Sequence, residues 1–210
     1  MKLLSATPSP YARKVRIALA EKGLAFELVT EVPWDRDATA PRYNPLGKLP
    51  VLILDDGSTV FESHFILEWL EARYSEPPLV PRDVDGRLAA RRLEVIADGV
   101  CDATVLTLFE RLRGEGCSAP WLERQRRKIE AGTAALAQAV RPGATYVLGE
   151  AFGLADIATG TVLGYLELRL PEFDWKAVHP HLAEWFARIS ERPSFASTRP
   201  QAQRFSDPVV

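Results

Sequence analysis

The feature that most constrains this fold is a proline-rich break between Glu76 and Asp83. Three prolines, at positions 77, 78 and 81, fall within five residues there, and proline continues neither a helix nor a central strand. Before the break, short apolar runs typical of strands alternate with helical patterns. After it, only helical patterns occur. The sequence therefore predicts two domains of different class, residues 1–75 and 87–205, joined by a linker at 76–86 and followed by a loose tail at 206–210.

The first domain begins with a strand, a helix and a second strand. Short apolar runs at 2–5 and 26–29 flank a helix that starts at Pro10 and stops at Gly23. Such a unit is expected to be right-handed, with its two strands parallel. On the helix, Val15 and its neighbours at helical spacing form an apolar face, and Arg13 and Lys14 lie off that face.

The rest of the first domain predicts a hairpin and a second helix. Strands at 51–54 and 59–61 flank the Asp-Asp-Gly-Ser sequence at 55–58, which is typical of a tight turn between antiparallel strands. A helix capped by Ser63 follows and runs to about residue 74. Residues 31–43 are expected to form a polar loop with room for one helical turn.

The second domain is predicted to be all helical. Gly99, in the middle of its longest segment, lowers helix stability and so indicates close packing or a kink. A second weak point is Gly153, which offers no capping hydroxyl to the helix that follows it. Asp156, three residues later, can still accept a hydrogen bond from the main-chain N–H of Gly153 through its carboxylate. Half of a capping box is therefore expected there. The predicted helices are 87–112, 120–140, 154–169, 179–190 and 194–203.

Composition narrows the classes of partner. The net charge is −2, which gives no overall attraction to nucleic acid or to an anionic membrane. No apolar run reaches the ~18 residues that span a bilayer. The sequence also has only two cysteines, Cys101 and Cys117, too few and too isolated for a disulfide framework or a zinc site. We therefore expect a cytoplasmic protein, without a metal, that acts on a small molecule.

Ser9 is the first candidate for chemistry. Since Pro10 suits the first position of a helix, Ser9 is placed at the N-cap, where its hydroxyl accepts from a free N–H group. The same position puts a hydroxyl at the positive end of a helix dipole. From the residues alone, Ser9 is either a cap or a group that contacts a ligand.

Two further stretches offer groups for binding. Pro50 stands directly before a strand, so Leu49-Pro50 is either a trans opening of an edge strand or a cis bond that turns the Leu49 main chain outward. Ser63 stands at a helix start, where it either caps or helps to bind a carboxylate. Glu62, just before it, either complements the helix dipole or pairs with an ammonium group.

Taken together, three motifs resemble the cytosolic glutathione transferase family, in its serine-type, tau-like form. They are Thr-Pro-Ser-Pro-Tyr with the helix after it at 7–23, Asn-Pro-Leu-Gly-Lys-Leu-Pro-Val-Leu at 44–52, and Phe-Glu-Ser at 61–63. Their order and spacing agree across the first 75 residues, and the linker and helices extend the likeness to nearly the whole chain. The resemblance implies an α+β, thioredoxin-like N-terminal domain (βαβ-ββα) followed by an all-α C-terminal domain, the architecture that the patterns also predict.

The resemblance also implies glutathione as co-substrate and a role for each matching residue. Ser9 would donate its hydroxyl hydrogen to the glutathione sulfur, with Thr7 and Tyr11 as rivals for that contact. Lys48 would bind the glycyl carboxylate. The main chain of Leu49, held in place by Pro50, would bind the cysteinyl unit, and Glu62 with Ser63 would bind the γ-glutamyl group. The absence of a cysteine near Ser9 argues against a glutaredoxin-like reductase.

The function expected on this basis is that of a homodimeric enzyme that adds the glutathione thiolate to small hydrophobic electrophiles. Glutathione-dependent isomerisation, dehalogenation or peroxide reduction would use the same site, since a fold does not fix its reaction. A non-catalytic binding or regulatory protein is the third hypothesis. The pocket for the electrophile is expected to draw on aromatic and apolar side chains: Tyr11, Trp34, Leu106, Phe109, Tyr165 and Phe205.

Overall fold

The structure, a computed structural model, describes residues 1–204. The tail predicted at 206–210 and the pocket candidate Phe205 lie outside this range. Contacts divide the chain into two compact units. The first comprises Met1–Leu79 together with the segment that begins at Pro193, and the second comprises Val80–Arg192. The sequence had assigned the segment after position 193 to the helical domain.

A four-stranded sheet forms the core of the first unit. Its strands are β1 (Lys2–Ser5), β2 (Glu27–Thr30), β3 (Val51–Ile53) and β4 (Thr59–Phe61), in the order β2-β1-β3-β4. Strands β1 and β2 are parallel, whereas β1 pairs antiparallel with β3 and β3 pairs antiparallel with β4. Helices α1 (Pro10–Glu21) and α2 (Ser63–Arg73) belong to the same unit as the sheet. This confirms the predicted thioredoxin-like order.

Helices make up the second unit, as predicted. They are α3 (Val84–Leu112), α4 (Ala119–Ala139), α5 (Leu154–Arg169), α6 (Trp175–Val178) and α7 (Pro180–Ser190). Every residue of α5 from Leu154 to Leu166 is buried, so this helix is the centre of the unit. Within residues 1–204, no helix is both long and apolar enough to cross a membrane.

Near the C-terminus, one predicted helix was wrong in length and one short helix was not predicted. The helix expected at 194–203 is only the short α8 (Pro193–Ala196). Pro200 disfavours helical geometry in the residue before it and so opposes a helix that continues to 203. The one-turn helix α6, capped by Asp174, was missed because four residues are too few to show a periodic pattern.

The face of α1 that carries Arg13 and Lys14 is buried, against expectation. Arg13 is only 4% exposed and Lys14 only 1% exposed. Arg13 donates to the main-chain oxygen of Phe195 at 3.3 Å and to Oγ1 of Thr198 at 3.4 Å, and its guanidinium lies over the Phe195 ring. The C-terminal segment therefore covers a face of α1 that a local pattern assigns to solvent.

The end of the sheet-bearing unit is fixed by a buried lysine. Nζ of Lys22 lies 2.6 Å from the carboxylate of Glu71 and donates to the main-chain oxygens of Tyr74 and Pro77 at 2.7 and 2.9 Å. The same Glu71 carboxylate accepts from the main-chain N–H of Leu79 at 3.1 Å. These contacts tie α1, α2 and the start of the predicted linker together.

Candidate functional site

Ser9 is the N-cap of α1, and its oxygen accepts from the main-chain N–H of Ala12 at 3.2 Å. A serine hydroxyl also has one hydrogen to donate. Within residues 1–204, no group accepts the hydrogen of the Ser9 hydroxyl. Capping and donation are therefore compatible, although the sequence presented them as alternatives.

The Leu49-Pro50 peptide bond is cis, which settles a choice that the residues alone left open. Leu49 is half-buried and Pro50 is buried directly before β3. In the part of the chain that the structure describes, neither the N–H nor the C=O of Leu49 has a hydrogen-bond partner. Unpaired main-chain groups of this kind suit an extended peptide ligand.

Asn44 organises the loop that leads to this dipeptide, a role that the sequence analysis missed. Its side chain donates to the main-chain oxygen of Lys48 at 2.8 Å and accepts from the N–H of Leu46 at 2.9 Å. Asn44 is buried, and Asn-Pro at the start of a turn is the signal that could have identified it. Lys48 itself is exposed, and its ammonium group has no acidic partner among residues 1–204.

Glu62, and not Ser63, is the N-cap of α2, which corrects the prediction. The Glu62 carboxylate accepts from the main-chain N–H of Phe65 at 3.3 Å. Glu62 has φ of 73°, and no other non-glycine residue between positions 1 and 204 has a positive φ. Such a conformation costs on the order of 1–3 kcal/mol and is commonly found at functional sites.

Ser63 is the first residue of α2 and is fully buried. Its hydroxyl lies 3.4 Å from a carboxylate oxygen of Glu62. Its main-chain N–H has no partner within the described residues, and α2 adds the positive end of its dipole there. A free N–H at a helix N-terminus is suited to a carboxylate.

Strand register places the three stretches at one edge of the sheet. Leu4 of β1 pairs with Val51 of β3, and Val51 pairs with Phe61 of β4. Ser9 follows the end of β1, Leu49-Pro50 immediately precedes β3, and Glu62 immediately follows β4. The candidate residues therefore leave the sheet from one row of paired residues, which was not visible from their separation in the sequence.

The candidates for the electrophile pocket differ in exposure. Tyr165 is buried within the helical unit, where burial raises the pKa of its hydroxyl to about 12, and this favours a core role. Trp34 and Leu106 are exposed. Exposed aromatic and aliphatic side chains are the ones available to an apolar ligand.

Comparison with known proteins identifies the family. The N-terminal domain model of glutathione S-transferases matches residues 8–73, and the C-terminal domain model matches residues 119–188. The uncharacterized GST-like protein YibF of Escherichia coli is 36% identical over 201 residues, which cover 95% of this chain and 98% of that protein. The chain belongs to the glutathione S-transferase family. The N-terminal match includes Ser9, Leu49-Pro50 and Glu62-Ser63.

Solved structures of the glutathione S-transferase family share the fold over the full length. A glutathione S-transferase from Methylobacterium radiotolerans, in complex with glutathione sulfonate, is 61% identical, covers 100% of this chain and 99% of its own, and superposes with a TM-score of 0.97. One from Methylobacillus flagellatus, with glutathione bound, is 42% identical, covers 95% and 99%, and has a TM-score of 0.90. The predicted glutathione S-transferase fold is therefore confirmed.

Proposed function

We propose that this protein binds glutathione and transfers its thiolate to small hydrophobic electrophiles. The observation that carries the proposal is the arrangement at one sheet edge. Three residues there offer groups that have no partner among residues 1–204: Ser9 its hydroxyl hydrogen, Leu49 its main-chain N–H and C=O, and Ser63 its main-chain N–H. Similar proteins of known structure hold glutathione or glutathione sulfonate. The unpaired groups fit a tripeptide with two carboxylates, one ammonium group and one thiol.

Each binding group has a matching partner on such a tripeptide. The Leu49 N–H and C=O pair with the main chain of the cysteinyl unit in the manner of an added strand. Lys48 attracts the glycyl carboxylate as a point charge. The α2 N-terminus at Ser63 takes the γ-glutamyl carboxylate, and the carboxylate of Glu62 pairs with the ammonium group.

Ser9 acts on the sulfur as a hydrogen-bond donor. Glutathione supplies the nucleophilic sulfur. A donor bond from the Ser9 hydroxyl, together with the positive end of α1, favours the thiolate over the thiol and releases the proton to solvent. The new bond joins sulfur to an electrophilic carbon, and the displaced electron pair leaves with the departing group or moves onto the acceptor. Thr7 and Tyr11 stay rivals for the sulfur contact.

We also propose a homodimer located in the cytoplasm. Val84, Leu88 and Val95 are exposed and follow one another at helical spacing along α3, so they form an apolar stripe that a second copy would cover. Neither Cys101 nor Cys117 forms a disulfide bond within residues 1–204, which suits a reducing compartment. Equilibrium sedimentation of the wild type and of Leu88→Glu would test the dimer.

The test of the enzymatic proposal compares two serine caps. Ser9→Ala and Ser118→Ala each remove a hydroxyl that caps a helix, since Ser118 accepts from the N–H of Trp121 at 3.4 Å. Each is expected to lose ~1 kcal/mol of stability. Only Ser9→Ala should lose activity towards a chromogenic aryl halide, by about 10- to 100-fold, which is the contribution of one hydrogen bond to a charged atom.

Retention of the wild type on immobilised glutathione accompanies this comparison. Failure of the wild type to bind at millimolar glutathione would contradict the proposal. Binding without conjugation would favour isomerisation, dehalogenation, peroxide reduction or a non-catalytic role. Full activity in Ser9→Ala would transfer the sulfur contact to Thr7 or Tyr11.

A further inference from the structure

The segment after α8, residues 198–203, is tied to the two loops that follow the parallel strands β1 and β2. We call it the C-terminal strap. The main-chain N–H of Gln201 donates to the main-chain oxygen of Thr7 at 3.3 Å. Nε2 of Gln203 donates to the main-chain oxygen of Glu31 at 3.2 Å. The first contact thus reaches the loop after β1, which carries Ser9, and the second reaches the loop after β2.

Glu31 makes the second loop a firm attachment point. Its N–H donates to the main-chain oxygen of Ser5 at 2.9 Å and so extends the pairing of β1 with β2. Its carboxylate accepts from the N–H and hydroxyl of Thr39 at 2.9 and 2.7 Å and from the N–H of Ala40 at 2.8 Å. Glu31 therefore closes the loop at 31–40 with one side chain and holds it against the end of β1.

The other end of the strap is anchored on α1. Thr198 accepts from Arg13 and donates to the main-chain oxygen of Ser194 at 2.7 Å. The Ser194 hydroxyl in turn donates to the carboxylate of Glu21 at the end of α1. The strap thus connects the body of α1, whose N-cap is Ser9, with the Thr7 carbonyl two residues before that cap.

We infer that Gln201 and Gln203 are positioning residues for the Ser9 hydroxyl, an inference that rests on the proposed function. The strap holds the turn at 6–9, in which the N–H of Ser9 donates to the Ala6 oxygen at 3.1 Å, at a fixed place relative to α1 and β2. A catalytic group must keep its geometry within ~0.5 Å and 10–20°. Loss of the strap contacts weakens donation to sulfur, so the pKa of bound glutathione rises towards the ~8.5 of a free thiol.

Paired variants of the full chain test this inference. Gln201→Pro removes the N–H that reaches Thr7, and Ala202→Pro is its control, because no partner of the Ala202 N–H is found among residues 1–204. Gln203→Ala removes the bond to Glu31, and Gln138→Ala, on the exposed side of α4, is its control. The readouts are the melting temperature, the Kd for glutathione, and the pH dependence of kcat/KM for the electrophile, measured at saturating glutathione.

Gln201→Pro and Gln203→Ala should raise the pKa of the pH profile by about 0.5 to 1, which lowers the rate about three- to tenfold on the acid side and leaves it unchanged at high pH. The Kd should stay within about twofold, and both controls should behave as the wild type. A lower melting temperature with an unchanged pKa in the strap variants would overturn the inference.

The Ser9→Ala variant separates failure of this inference from failure of the proposed function. A raised pKa in Ser9→Ala but not in the strap variants would overturn the strap alone. A wild-type profile in Ser9→Ala would instead contradict the role of Ser9, and the strap inference would fall with it.

Discussion

The carboxylate of Asp156 accepts a hydrogen bond from the main-chain N–H of Gly153 at 2.9 Å. Its other oxygen accepts from the main-chain N–H of Val147, also at 2.9 Å. Asp156 thereby supplies its half of the capping box that the sequence predicted, and in addition fixes the loop that leads into α5. Because α5 is the buried centre of the helical unit, the contribution of Asp156 is to stability.

Replacement of Asp156 by alanine should destabilise the helical unit. The buried N–H of Val147 and the half-buried N–H of Gly153 both lose their acceptor. The first loss costs about 1–3 kcal/mol and the second about 1 kcal/mol, so we expect a total of roughly 2–4 kcal/mol. Asp174→Ala is the matched control, since Asp174 is an exposed cap with one bond, to the N–H of Ala177, and should cost ~1 kcal/mol. Chemical denaturation measures both. Equal losses would contradict the role assigned to Asp156.

Asp156 should also make stability depend on pH. Burial raises the pKa of Asp156 to about 6, against the opposing effect of the N–H groups of Val147 and Gly153. The folded state thus favours the protonated acid, so this contribution is complete below about pH 4 and is lost as the pH rises through about 6. The loss is at most about 3 kcal/mol.

Asp156→Asn removes this titration. The stability of the wild type relative to Asp156→Asn should therefore fall between pH 4 and pH 6 and level off above pH 7. Denaturation of both proteins across that range provides the measurement. A difference that does not vary with pH would show that the pKa of Asp156 is not raised.

Gly132, and not Gly99, is where α3 and α4 require a glycine. A Cβ on Gly132 would be in steric conflict with Cγ2 of Val100. A Cβ on Gly99 would have no atom of residues 1–204 within 4 Å, apart from its chain neighbours and the adjacent backbone of its own helix. Alanine favours a helix over glycine by ~1 kcal/mol. Gly99→Ala should therefore raise the melting temperature, and Gly132→Ala should lower it despite the same gain in propensity. A rise in both would contradict close packing at Gly132.

We expect Glu62 to strengthen glutathione binding at a cost in the stability of the protein. Glycine adopts a positive φ without strain and caps a helix almost as well as an acidic residue. We expect Glu62→Gly to keep or raise stability by about 1 kcal/mol and to weaken glutathione binding about tenfold or more through loss of the carboxylate. Glu62→Gln, which keeps the strain, should weaken binding without the gain in stability. Calorimetry and thermal denaturation would show both effects.

Local patterns predicted the elements well, because the features that decide them are local. The strands at Lys2–Ser5 and Thr59–Phe61 and the α5 bounds Leu154–Arg169 agree with the structure residue for residue. The burial of Arg13 escaped prediction because it depends on Phe195, which is distant along the chain. The cap at Glu62 escaped because its positive φ contradicts the usual preference of a glutamate.

The candidate site was predicted in its residues but not in its assembly. Ser9, Leu49 and Ser63 each carry a recognisable motif, whereas their common sheet edge follows only from the pairing of Leu4, Val51 and Phe61. The strap contacts of Gln201 and Gln203 have no sequence signature, because glutamine near a chain end is typical of solvent-exposed segments.

The central claim is that Ser9 donates a hydrogen bond to the sulfur of glutathione. Aspartate caps a helix as well as serine does, but an ionised carboxylate has no hydrogen to donate. Ser9→Asp therefore separates the two roles. The most direct measurement is the pH titration of bound glutathione, followed by the ultraviolet absorbance of its thiolate. The pKa should lie below the ~8.5 of a free thiol in the wild type, and at or above it in Ser9→Asp with the melting temperature unchanged. An equally low pKa in both proteins would contradict the account.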